Sequence, residues 1–129
     1  MQMLPFLYVA KSELGGRGVF TREVITVGTL IEVAPVIVLP GKDTAKIHAT
    51  RLHDYYFIWG ENDDQCAIVL GYGSLYNHDF QPNTEYQPNF EEQTLEFYAI
   101  RNIPAGEEIK VNYNGDPRIQ EKLWFEDKN

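Results

Sequence analysis

The chain has 129 residues, 43% of them hydrophobic and 23% charged, which suffices for one packed core and not for a second independent one, so residues 1–129 are expected to form a single domain. A formal charge of -8 argues against a phosphate-binding face, and direct nucleic-acid binding is not expected; a basic protein or peptide suits such a surface better, unless the acidity serves only to keep the protein in solution. One cysteine, Cys66, excludes an internal disulfide and a cysteine-rich zinc site, and with no export-signal pattern and no apolar run near the roughly 20 residues of a membrane helix, an intracellular location without membrane contact is expected.

In chain order, Phe6 to Val9 is an apolar run that reads as a first strand, and Lys11 to Gly18 is a polar, glycine-rich loop before Val19 and Phe20 resume apolar character. Gly15, Gly16 and Gly18 suit a turn whose bare backbone lets a ligand approach, or a hairpin turn with nothing bound. No helical pattern follows, so this is not a dinucleotide fingerprint. Val24 to Val33 reads as a turn centred on Val27 and Gly28 leading into a strand, and Pro35 to Leu39 continues in β-branched residues. Thr44 to Leu52 has helical potential with Thr44 as its cap, although Ala45, Ile47, Ala49 and Leu52 are only roughly periodic.

Tyr55 to Trp59 is the densest aromatic run, followed by a polar turn and the strand Cys66 to Leu70. Most such rings belong to a core, but on a strand they cannot all point one way, so one or two are expected to line an opening. Gly71 to Asn83 concentrates residues poor at building a core around Asn77, His78, Pro82 and Asn83. An amide beside a titratable ring, approached through glycines and followed by proline, reads as a site on a sharply turning chain. Thr84 to Gln87 and Thr94 to Ile100 read as strands around an acidic turn. Ile103 to Gly106 turns into Glu107 to Val111, and Pro117 to Asn129 reads as a short helix.

Three of these segments, Gly16-Arg17-Gly18, Asn77-His78-Asp79-Phe80-Gln81-Pro82-Asn83 and Gly106-Glu107-Glu108-Ile109-Lys110-Val111-Asn112-Tyr113, resemble in sequence and order the motifs of the SET domain family of protein lysine methyltransferases. The resemblance runs from about Gly15 to Trp124. It implies a mainly β, β-clip fold of several small sheets with one or two short helices and a knot-like threading of the Asn-His segment. It also implies transfer of a methyl group from S-adenosylmethionine to a lysine amine of a protein substrate.

By the same resemblance Tyr113 is the catalytic tyrosine. Gly16, Arg17, Gly18, Asn77 and His78 hold the cofactor, Asn77 at its amino-acid end and His78 through its backbone. Trp124 covers the adenine, Tyr56, Tyr76 and Val111 line the substrate channel, and no metal is required. Lysine has a pKa near 10.4, so a neutral amine at pH 7 costs about 4.6 kcal/mol, which an apolar aromatic channel beside a cationic sulfonium lowers. The chain departs from the family at Asp79, where serine is usual, and at Val111, where many members carry an aromatic residue. A SET-like module that binds a peptide or cofactor with little or no turnover is the alternative, and retention of Tyr113, Asn77 and the glycines favours the enzyme.

Overall fold

The computed structural model describes residues 2–113. Its elements are β1 (Leu7–Lys11), β2 (Arg17–Thr21), β3 (Leu30–Pro40), α1 (Thr44–His48), β4 (Tyr56–Trp59), β5 (Gln65–Val69), β6 (Asn77–His78), β7 (Thr84–Asn89), β8 (Thr94–Ala99) and β9 (Glu108–Val111), with 3-10 turns at Gly41–Asp43, Arg51–Asp54 and Gly73–Leu75. One sheet has the order β1-β2-β9-β6 and the other β4-β5-β3-β8-β7. The expected mainly β architecture is present.

Two local expectations are corrected, on the first loop and on the helix. Arg17 and Gly18 do not belong to the first loop but open β2, paired with Lys11 and Ala10. The residues from Pro35 to Leu39 continue the strand, as their β-branched character suggests. β3 runs on through Pro35, because this proline stands where pairing with β8 ends and pairing with β5 begins, so its missing N–H costs no ladder bond on either side. The helix is shorter than expected: α1 stops at His48, Thr44 is its first residue behind an Asp43 that makes no side-chain cap bond, and Thr50 caps the separate 3-10 turn Arg51–Asp54, accepting from the Leu52 N–H at 3.1 Å. No residue of α1 is buried, so no packed face extends a weakly periodic segment.

The core follows strand alternation. Leu95, Phe97 and Ala99 of β8 and Ile109 and Val111 of β9 point inward. β3 departs from this rule: its register against β8 shifts between Leu30 and Glu32, and the successive residues Ile31 and Glu32 are both buried. Such a bulge reverses the alternation, so that Glu32, Ala34 and Val36 all face the core beyond it.

β9 lies between β2 and β6, and β6 joins it in parallel through Asn77 opposite Lys110 and His78 opposite Val111. The following loop is tied to the same strand. The Asp79 N–H donates to the Val111 carbonyl at 2.9 Å, and the Asn83 N–H to the Lys110 carbonyl at 3.2 Å. Asn83, 1% exposed, adds its side chain, donating to the Glu108 carbonyl at 2.8 Å and accepting from the Lys110 N–H at 2.9 Å. Middle and C-terminal parts of the chain are thus laced together, and the three motifs become neighbours.

Candidate active site

Glu108 is the hub of this meeting. Its Oε1 accepts from the Ser12 hydroxyl at 2.6 Å and its Oε2 from the Asn77 amide at 2.7 Å. The same amide nitrogen donates to the Arg17 carbonyl at 3.0 Å. With both amide hydrogens directed at acceptors, the Asn77 orientation is set, and its oxygen is the atom left for a ligand. Gly18 lies against this cluster, where a Cβ would collide with the Glu108 carboxylate. Gly16 differs: its φ is +59° and nothing stands within 4 Å of where a Cβ would be. It serves the turn conformation and borders open space.

Tyr113 is held at three atoms. Its N–H donates to His78 Nδ1 at 3.0 Å, its carbonyl accepts from the Tyr86 hydroxyl at 3.1 Å, and its hydroxyl donates to the Tyr76 carbonyl at 2.6 Å. An accepting Nδ1 places the neutral imidazole's proton on Nε2. The His78 ring packs edge-on against Phe80 with centroids 4.5 Å apart, and lies 5.2 Å from the Tyr113 ring. Burial pushes the Tyr113 phenol well above its ordinary range, and nearby Tyr55, Tyr86, Asp54 and Glu108 add to the rise. The group is a neutral phenol at physiological pH.

The structure brings Arg17, Gly18, Asn77, His78 and Tyr113 into one connected site. The residues expected along a substrate channel are placed differently. The Tyr76 ring is wholly buried beside Phe97, its hydroxyl donating to Glu32 at 2.6 Å, so Tyr76 meets Tyr113 through its carbonyl and not its ring. Val111 is wholly buried in the core. The Tyr56 hydroxyl lies 3.0 Å from His48 Nδ1. From the aromatic run it is Tyr55, 38% exposed, that stands electrostatically beside Tyr113. Trp124 and the expected C-terminal helix lie outside the described residues.

The two departures from the motif acquire local explanations. Asp79 Oδ1 accepts from the Gln81 N–H at 2.8 Å, an acceptor role that serine also fills. Its Oδ2 sits 3.3 Å from Lys110 Nζ, an ion pair a serine would lack. Val111 is a strand residue packed with Ile109 and Val19 in the core. Ser12 and Glu108 were not singled out from sequence as site residues, and the only cue was that Glu108 falls within the third motif.

The family profile of the SET domain matches residues 16–114. The chain is 35% identical over 124 residues to the histone-lysine N-methyltransferase, H3 lysine-37 specific, of Schizosaccharomyces pombe, covering 95% of this chain and 78% of that protein. Among solved structures, a Plasmodium falciparum protein described as a histone methyltransferase superposes with a TM-score of 0.67 at 32% identity, over 86% of this chain and 95% of that one. The Chaetomium thermophilum Polycomb Repressive Complex 2 bound to GSK126 gives a TM-score of 0.73 at 23% identity, over 87% of this chain and 16% of that one, a likeness of fold.

Proposed function

The chain belongs to the SET domain family of protein lysine methyltransferases, and on that premise we propose a role for each group of the site. The enzyme methylates a lysine side-chain amine of a protein substrate. S-adenosylmethionine supplies the methyl group, on a sulfonium whose sulfur leaves as a neutral thioether when the amine nitrogen takes the methyl. The described residues fit such a ligand. Open space borders Gly16, the Asn77 oxygen is directed to accept from an ammonium, and the Glu108 carboxylate beneath it favours a cation. Arg17 and Gly18 form the adjoining edge, and His78 contributes its main chain.

The observation that carries the catalytic assignment is the three-point hold on Tyr113. Its hydroxyl hydrogen is committed to the Tyr76 carbonyl, so toward the substrate amine the hydroxyl acts as an acceptor that aims that nitrogen. A phenol kept neutral by burial is not a base at neutral pH. The amine proton therefore leaves before transfer, helped by the desolvating surroundings. The acceptor is a lysine on a basic segment, in keeping with the net charge of -8 and with a relative named for lysine 37 of histone H3. Calorimetric titration with S-adenosylmethionine followed by methyl transfer to histone H3 tests this. No heat of binding and no transfer to H3 or other basic proteins would refute it.

A further inference from the structure

Glu32 is a buried carboxylate that the reaction above does not touch. It is 1% exposed, its Oε1 accepts from the Tyr76 hydroxyl at 2.6 Å, and its Oε2 accepts from the Tyr72 N–H at 3.0 Å. Burial raises its pKa, and the two hydrogen bonds only partly oppose this. A raised folded-state pKa means that the stability it contributes is full below the ordinary carboxylate range and is lost as pH rises through the folded value. Net stability at neutral pH therefore does not account for the group.

The chain from Gly71 to Tyr76 is wrapped around this carboxylate. Gly71 has φ +62°, and a Cβ there would collide with Oε2. The Tyr72 N–H binds the same oxygen, the 3-10 turn Gly73–Leu75 follows, and the Tyr76 hydroxyl returns to Oε1. The next polar atom along is the Tyr76 carbonyl that accepts the Tyr113 hydroxyl.

We propose that Glu32 is a positioning residue for methyl transfer: by holding both ends of the Tyr72 to Tyr76 turn it fixes the direction of the Tyr76 carbonyl, and through it the Tyr113 hydroxyl. The inference rests on Tyr113 being the catalytic tyrosine. Its test is a mutant cycle measured by single-turnover transfer to histone H3, cofactor affinity and melting temperature. Tyr76→Phe keeps the ring beside Phe97 and removes only the tie to Glu32. It should lower the single-turnover rate about tenfold or more with cofactor affinity nearly unchanged. In a Tyr113→Phe background the same change should cause no further loss, because no hydroxyl remains to be positioned. Glu32→Gln carries the same expectation, and Tyr76→Phe decides the matter where that variant does not fold. Equal losses in both backgrounds, or a folded Tyr76→Phe enzyme at the parent rate, overturn the proposal. A Tyr113→Phe enzyme at the parent rate overturns the assignment of Tyr113 instead.

Discussion

The main-chain N–H of Tyr113 donates to the Nδ1 of His78 across 35 residues of sequence. The imidazole thus acts as a backbone acceptor, holding the C-terminal motif against the central one. Nothing in this requires the ring to exchange protons with substrate.

His78→Ala should therefore cost stability, about 1–3 kcal/mol for a part-buried donor left without its acceptor. His78→Asn, whose Oδ1 takes the place of Nδ1, should recover most of the loss, whereas His78→Gln should not. Urea unfolding of the three variants checks the order. Equal stabilities for Asn and Gln would detach the ring from this role.

The glycines of the first motif should respond differently to alanine. Gly16→Ala places a Cβ at φ +59° in open space, a strain of about 1–2 kcal/mol, with a methyl group intruding where the cofactor is proposed to lie. Gly18→Ala meets the Glu108 carboxylate and the Asn77 amide, so it should displace both and lower stability more than Gly16→Ala does. Melting of the free proteins ranks the first effect, and calorimetry the second. Parent affinity in Gly16→Ala would remove that residue from the cofactor site.

The order of elements and the three motifs were legible because glycine, asparagine and tyrosine at those spacings carry backbone and hydrogen-bonding constraints of their own. What joins them was not. Ser12 and Glu108 are 96 residues apart, and no local pattern pairs them. Glu32 was hidden for another reason: alternation from Ile31 turns it outward, and only the bulge against β8 brings it in. Tyr56 opens β4 opposite Ile68 of β5, whereas Tyr55 closes the 3-10 turn before it, a division that the aromatic run does not show. The helical segment was overextended because α1 found no surface to bury, and the chain breaks at Thr50 into a separately capped 3-10 turn.

Alkaline pH offers a test of burial. Of eight tyrosines, four are pushed upward chiefly by desolvation: Tyr56, and more strongly Tyr76, Tyr86 and Tyr113. Their folded pKa values exceed the unfolded value, so the stability they contribute is full below about pH 10 and falls as pH rises through the folded values, by about 1.4 kcal/mol per pH unit for each. Urea unfolding between about pH 9 and 11, with phenolate absorbance recorded on the folded protein, follows this directly. Ionisation of all the tyrosines together near the ordinary value, without loss of stability, contradicts the described burial.

Tyr113→Phe separates chemistry from scaffolding most sharply. The change removes the hydroxyl that donates to the Tyr76 carbonyl and leaves the ring beside His78 with nearly the same volume. The bonds at its N–H and carbonyl are made by the main chain, so they persist. If the phenol oxygen aims the amine in the transition state, single-turnover transfer should fall by about a hundredfold, equivalent to about 2.7 kcal/mol. Cofactor affinity should stay almost unchanged, because that interaction is made chiefly as the methyl moves. The Tyr76 carbonyl loses a partner, which should lower stability by about 1 kcal/mol at most where water replaces the hydroxyl. Melting temperature, calorimetry and single-turnover rate on one preparation distinguish the roles. A variant that melts several degrees lower yet transfers methyl groups at the parent rate makes Tyr113 a scaffold residue, and the catalytic assignment then fails at its central position.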